Sequence, residues 1–185
     1  MQELLQYRKE VLIGEKINLR VTTKEDEELF AKWWNEDTIL LGNRNRIIPT
    51  FEEDNAPLFH NWSANQNSNG FALTIENKEC VAVGHVSVFG LSLPMMIATI
   101  GIFVGSEYRG HGYGKEAMQK AIRICFEELN VHKVELNVYS YNEAAIAMYK
   151  KVGFVHEGTR RAASYHHGKY YDVYTMGILR EEYLG

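Results

Sequence analysis

The sequence predicts an α/β domain: a mixed, mostly antiparallel sheet with helices on both faces. Three observations carry this. An apolar run at residues 98–104 leads through a glycine-rich turn into an amphipathic helix and then into a second extended run at residues 133–139. Such a strand-helix-strand unit pairs its two strands in parallel with a right-handed crossover. Residues 71–76 and 81–89 are two extended runs separated by the polar turn Asn77-Lys78-Glu79, the pattern of an antiparallel hairpin. From Gly158 onward the chain reads as a closing hairpin that turns near His167-Gly168-Lys169 and ends on alternating Val173, Thr175 and Ile178.

Taken in order, residues 16–21 alternate polar and apolar side chains and form a first strand. Thr23 with Asp26 is a capping box opening a helix whose Leu29, Phe30 and Trp33 share a face. Residues 42–49 read as a polar loop; Thr50 with Glu53 marks a second helix start, which Pro57 is expected to break or kink. The acids at 25–28 and 52–54 fall in first helical turns, where they complement the helix dipole rather than mark a site for a cationic substrate. Residues 65–70 are loop. His85, alone within its strand, reads as a packing residue. After the glycine-rich turn, Met118, Ala121, Ile122, Cys125 and Leu129 recur at helical spacing, so a helix at 115–129 buries one face. Asn142 caps a further helix that Gly153 ends, and places Ala145 and Tyr149 on its own face.

With 185 residues and 21.3 kDa, the chain supports one sizeable core, so a single domain spanning residues 1–185 is expected. Twenty basic against 24 acidic residues give a net charge of -4, which carries no nucleic-acid footprint. Cys80 and Cys125 have neither metal nor redox spacing, and both are expected as packed thiols; no metal site is expected. Residues 1–9 lack the basic start and apolar core of a secretory signal. The longest apolar stretch, residues 91–104, is interrupted by Ser92, Pro94 and Thr99 and falls short of the roughly 20 residues a membrane span needs. These features predict a cytoplasmic protein without a membrane partner.

The informative stretch is Tyr108-Arg109-Gly110-His111-Gly112-Tyr113-Gly114-Lys115. Between strand and helix, its backbone N–H groups and the helix N-terminus make a cradle for a phosphate or pyrophosphate. A Walker A loop is excluded, because Arg109 stands where its first glycine belongs and Glu116 follows Lys115. The dinucleotide fingerprint fails too, since it would need glycine at 115. Three alternating glycines alone fit an ordinary strand-to-helix turn needing positive φ equally well. Arg109, Gly112 and Gly114 do fit R-x-x-G-x-G, and here the chain resembles the GNAT N-acetyltransferases. Asn142, Ala145, Tyr149, Lys151, Gly153 and Phe154 fit a second signature of that superfamily, N-x-x-A-x-x-x-Y-x-K-x-G-F. The closing pattern, E-G-x-x-R from Glu157, G-K-Y-x-D from Gly168 and M-x-x-L-x-x-E-Y from Met176, is similar to the branch of ribosomal-protein N-terminal and spermidine acetyltransferases. The resemblance runs from about residue 16 to 183 and is weakest at 37–69, where acceptor-binding loops of such proteins lie.

The resemblance implies that the strands ending at Val104 and Tyr139 splay apart to admit the pantetheine arm of acetyl-CoA. It assigns Ile102, Phe103 and Val104 to that arm, the pyrophosphate to Arg109, Gly110, His111, Gly112, Tyr113 and Gly114, and adds Asn142 and Lys151 to the cofactor site. It implies direct acetyl transfer to a primary amine, with backbone donors near Val104 polarising the thioester and Tyr149 protonating the departing thiolate. The acceptor stays open among a protein N-terminus, a polyamine, an amino sugar and an antibiotic, and so does a coenzyme A-binding module without catalysis. The positions where relatives carry a basic glutamate hold Thr99 and Asn137. Strand alternation makes Glu135 the nearest replacement, with His85 second. The edge of the terminal hairpin is compatible with a homodimer.

Overall fold

The computed structural model describes residues 1–36, 40, 47–66, 68–91 and 93–183, so most of the expected 42–49 loop lies outside the described residues. The chain begins with α1 (Gln2–Leu12), a helix the sequence reading missed because Leu4 and Leu5 stay exposed and only Val11 is buried. Lys120 Nζ ties it down from the far side of the chain, donating to the carbonyls of Glu10 at 2.7 Å and Ile13 at 3.0 Å where the helix ends.

Strand β1 (Ile17–Arg20) leads to α2 (Lys24–Trp34), which opens with the expected capping box: Thr23 accepts the Asp26 N–H, and the Asp26 carboxylate accepts the Thr23 N–H at 2.9 Å. Asp26 is buried, and it also accepts from Arg20 and from Thr74 Oγ1 at 3.0 Å. Burial raises its pKa, but the Arg20 guanidinium, the Thr23 backbone and Thr74 together outweigh burial and hold it below the usual carboxylate range. This network pins α2 to the sheet.

The next helix, α3 (Glu52–Ser63), corrects the expected cap and, of the break or kink expected at Pro57, excludes the break. Thr50 does not cap it; its hydroxyl bonds Asn55 Oδ1 at 3.0 Å while the Asn35 amide brackets its backbone, accepting from its N–H at 3.1 Å and donating to its carbonyl at 2.7 Å. Pro57 does not break the helix, which runs through it. Two residues beyond the proline, fully buried Phe59 anchors the helix in the aromatic cluster with Phe30 and Trp33.

Seven strands form one sheet in the order β1-β2-β3-β4-β5-β7-β6, with β2 (Phe71–Asn77), β3 (Ala82–Phe89), β4 (Ile97–Val104), β5 (Lys133–Tyr139), β6 (Val155–His166) and β7 (Lys169–Leu179). Every pairing is antiparallel except β4 with β5. In the β2–β3 turn Cys80 is exposed at φ +60°, not packed as expected, because the short turn leaves its side chain in solvent. The closing hairpin starts at Val155, three residues before the expected point, and β6 is a sheet edge broken by two register shifts.

Between β4 and β5 lies α4 (Tyr113–Glu127), and between β5 and β6 lies α5 (Glu143–Val152); α6 (Arg180–Tyr183) follows β7. The α4 stripe of Met118, Ala121, Ile122 and Cys125 is fully buried against Val86, Ala98, Ile100, Val134 and Leu136 of the sheet. On the opposite face α2 and α3 bring Phe30, Trp33 and Phe59 into a second cluster with Trp34, Phe103 and Tyr108. Helices therefore cover both faces, and the strand alternation of β4 sends Ala98 and Ile100 to one core and Phe103 to the other.

Candidate active site

The two parallel strands pair over three rungs only: Ile97 with Lys133, Ala98 with Val134, and Thr99 with Glu135. Beyond Thr99 they no longer pair with each other, while each continues its ladder with its antiparallel neighbour, β4 as far as Val104 with Gly84 and β5 as far as Tyr139 with Val173. The expected splay is present, and Ile102, Phe103 and Val104 lie on its β4 side.

Past Val104 the chain makes a single 3₁₀ turn at Ser106–Tyr108, and Arg109 folds back so that its Nε donates to the Val104 carbonyl at 3.0 Å. Gly110 at φ +82° and Gly112 at φ +85° then adopt left-handed conformations that side chains resist. Gly112 is the N-cap of α4 and supplies no side-chain acceptor, so no cap occupies the N–H groups of the first turn. That arrangement fits a pyrophosphate. Gly114 faces the strand end, where a Cβ would lie 3.5 Å from Val104 Cγ2. His111 and Tyr113 stack on each other with centroids 5.4 Å apart.

The sequence reading missed one charged group here. Lys16 Nζ donates to the His111 carbonyl at 3.1 Å, and a Cβ on Gly112 would come within 3.2 Å of it. Glu116 of α4 fixes this lysine by accepting its backbone N–H at 2.8 Å. A cation thus stands beside the turn, contributed from 95 residues earlier, where no local spacing signals it.

In the second motif, Asn142 Oδ1 accepts the Ala145 N–H at 3.2 Å, capping α5 as expected, and Gly153 at φ +117° ends it. Tyr149 is 8% exposed and packs edge-on to Phe154 at 5.9 Å. Burial pushes its hydroxyl up to about 12, so it keeps its proton at neutral pH. Lys151 is exposed on the same helix. Glu135, partly exposed, lies 3.5 Å from Lys133 Nζ, which bonds Glu157 at 2.7 Å. Asn137 accepts from Thr175 Oγ1 at 3.0 Å.

On the α2–α3 side of β3 and β4 is a chamber of about 500 Å³ lined by Trp34, Leu58, Trp62, His85, Ser87, Val88, Phe89, Gly101, Ile102 and Phe103. Its floor includes the part of β4 that has left β5. His85 shares a 2.9 Å hydrogen bond with Ser63 Oγ and stacks on Phe103; burial pushes its pKa down to about 4. Among the described residues no cluster of His, Cys, Asp or Glu is placed to hold a metal, and no helix is long and apolar enough to cross a membrane.

The sequence of a Vibrio cholerae spermidine N(1)-acetyltransferase is 29% identical over 78% of this chain and 86% of that protein. An uncharacterized N-acetyltransferase of Bacillus subtilis, YokL, derived from the SPbeta prophage, is 29% identical over 92% of this chain and 93% of its own length. The crystal structure of a Vibrio cholerae spermidine N-acetyltransferase with coenzyme A and spermine superposes with a TM-score of 0.79 at 24% identity, covering 93% of this chain and all of that one. Residues 16–155 match the family model described as an acetyltransferase (GNAT) domain. With that match spanning the splayed strands, the glycine turn and the capped tyrosine helix, the chain belongs to the GNAT acetyltransferase family.

Proposed function

We propose that the strand gap, the glycine turn and the chamber form one active site, in which this acetyl-CoA-dependent N-acetyltransferase moves an acetyl group to a primary amine. The observation that carries this reading is the parting of β4 and β5 between the uncapped turn and the chamber. It gives a thioester a path from the phosphate cradle to the amine.

In this reading Arg109 to Gly114 hold the pyrophosphate and Ile102 to Val104 align the pantetheine arm, with Lys16 adding charge beside the turn. The amine nitrogen attacks the thioester carbonyl, whose developing negative charge is stabilised by backbone N–H groups near Val104. The C–S bond breaks, the sulfur takes the Tyr149 proton, and the nitrogen gives up its own to a base. We assign that base to Glu135, which stands across the ladder from Thr99. Asn142 and Lys151 complete the cofactor site from α5. Association of two copies along β6 belongs to the same proposal and would double the mass seen in sedimentation.

The test is a panel of amines offered with acetyl-CoA while free thiol is followed. Amine-dependent thiol release that Tyr149→Phe suppresses supports the reading; release that no amine stimulates, despite coenzyme A binding, overturns it.

A further inference from the structure

The described lining of the chamber beside the strand gap is mostly rings and hydrocarbon. Trp34 and Trp62 cover it from the helices, and Phe89 and Phe103 come from the strands. Among the described residues lining it there is no Asp, Glu, Lys or Arg. His85 is held by Ser63 inside the aromatic cluster and, with its pKa depressed by burial, carries no charge at neutral pH. Among the described residues, the acids near its wall in sequence, Glu36 two residues after Trp34 and Glu52, Glu53 and Asp54 in the first turn of α3, are exposed and are not part of its lining. The floor is recessed at Gly101, where a Cβ would stand 3.4 Å from Ser87 Oγ and 3.7 Å from Phe89 Cε1, inside the space the chamber now offers.

This lining discriminates between amines. A monoamine must shed its proton before it attacks, so it presents no lasting charge to the rings. A polyamine keeps further ammonium groups. Aromatic faces can hold one such cation, but charges strung along a chain need carboxylates once water is removed. An apolar substituent on the amine, by contrast, gains from leaving water for this lining. We infer that the acceptor is a monoamine bearing an uncharged aromatic or branched hydrocarbon group, and that Trp62, Phe89 and Phe103 enclose that group over the recess at Gly101. The inference rests on the chamber being the acceptor site proposed above.

The experiment compares 2-phenylethylamine, methylamine and spermidine, by calorimetric binding to the enzyme–coenzyme A complex and by thiol release with acetyl-CoA. The expected kcat/KM for phenylethylamine exceeds that for spermidine by about tenfold or more. Trp62→Ala removes a 44% exposed ring, so the fold should tolerate it, and phenylethylamine binding should weaken. Gly101→Ala adds a methyl with ordinary contacts only, and should lower phenylethylamine turnover more than methylamine turnover. Spermidine as the better acceptor overturns the inference, as does phenylethylamine binding that both variants leave unchanged. Tight, Trp62-dependent binding without thiol release would keep the ligand class and sink the acetyl-transfer role of the chamber. Phenylethylamine failing to bind while another amine is acetylated would do the reverse.

Discussion

Thr99 and Glu135 face each other across the last rung that β4 and β5 share, and from that rung the two strands part. Side chains opposite one another in a parallel pair project from the same face, so the carboxylate lies beside the position where relatives carry their glutamate. The backbone of β4 past Thr99 is the expected seat of the pantetheine arm. Coenzyme A should therefore slow amide hydrogen exchange at residues 100–104 and leave residues 97–99, whose β5-facing side is already paired, little changed. Protection absent from 100–104 would place the arm elsewhere.

The phosphate turn invites two substitutions with different signatures. Gly112→Val forces a β-branched residue to φ +85°, a strain of roughly 1–3 kcal/mol. The atom it would meet is the mobile end of Lys16, so the apo protein should still fold, yet coenzyme A should no longer raise its Tm. Lys16→Ala leaves the glycines in place and removes both the charge and the hydrogen bond to the His111 carbonyl. Its loss of affinity should be several-fold at low salt and shrink as ionic strength rises. A salt-independent loss would mean that Lys16 acts by holding the His111 carbonyl rather than by its charge.

Most of the sheet was legible because its signals are local: alternation marked the hairpins, Thr23 with Asp26 the start of α2, and Asn142 with Gly153 both ends of α5. What escaped depends on partners distant in sequence. Lys16 reaches the turn only because β1 and α4 are brought together, α1 is held by Lys120, and Thr50 prefers the amides of Asn35 and Asn55 to the helix it precedes. The chamber was invisible for the same reason, since its walls come from α2, α3, β3 and β4.

His85 makes a prediction about stability. Its pKa falls from 6.5 to about 4 because burial disfavours the charged ring. A depressed folded-state value contributes stability that is complete above pH 6.5 and is lost as pH falls toward 4. The stake is about 3 kcal/mol. Urea unfolding of the wild type should weaken across that window, whereas His85→Gln, less stable at pH 7, should show a flatter profile. Parallel profiles would assign the acid sensitivity to other groups.

Tyr149 titrates at the other end of the scale. With its hydroxyl pushed up to about 12, the proposed proton donor stays loaded throughout the working range. Tyr149→Phe should lower kcat by about 10²-fold with little change in coenzyme A affinity. The wild-type kcat profile should show no alkaline limb from this residue below about pH 11. The raised pKa favours the folded state below pH 10, and that contribution fades as pH climbs to about 12. Near-wild-type turnover of the Phe variant would reduce Tyr149 to packing against Phe154.

The base is the remaining question of mechanism, and pH separates its candidates. An amine that is mostly protonated at neutral pH must lose a proton before attack, so a working base leaves an acidic limb in kcat/KM. Glu135 is partly exposed, lies 3.5 Å from Lys133 Nζ and stands on the last rung before the gap. His85 is a weak acceptor at about 4 and already shares its Nε2 with Ser63. Glu135→Gln should therefore depress kcat/KM and erase the acidic limb, while His85→Gln should keep the limb whatever it does to stability. The charge itself can be told from the ion pair by Lys133→Met, which removes the pairing but leaves the carboxylate and should preserve most of the activity. If Glu135→Gln retains the wild-type profile, the enzyme takes its amine already deprotonated from solution and Glu135 serves only its lysine.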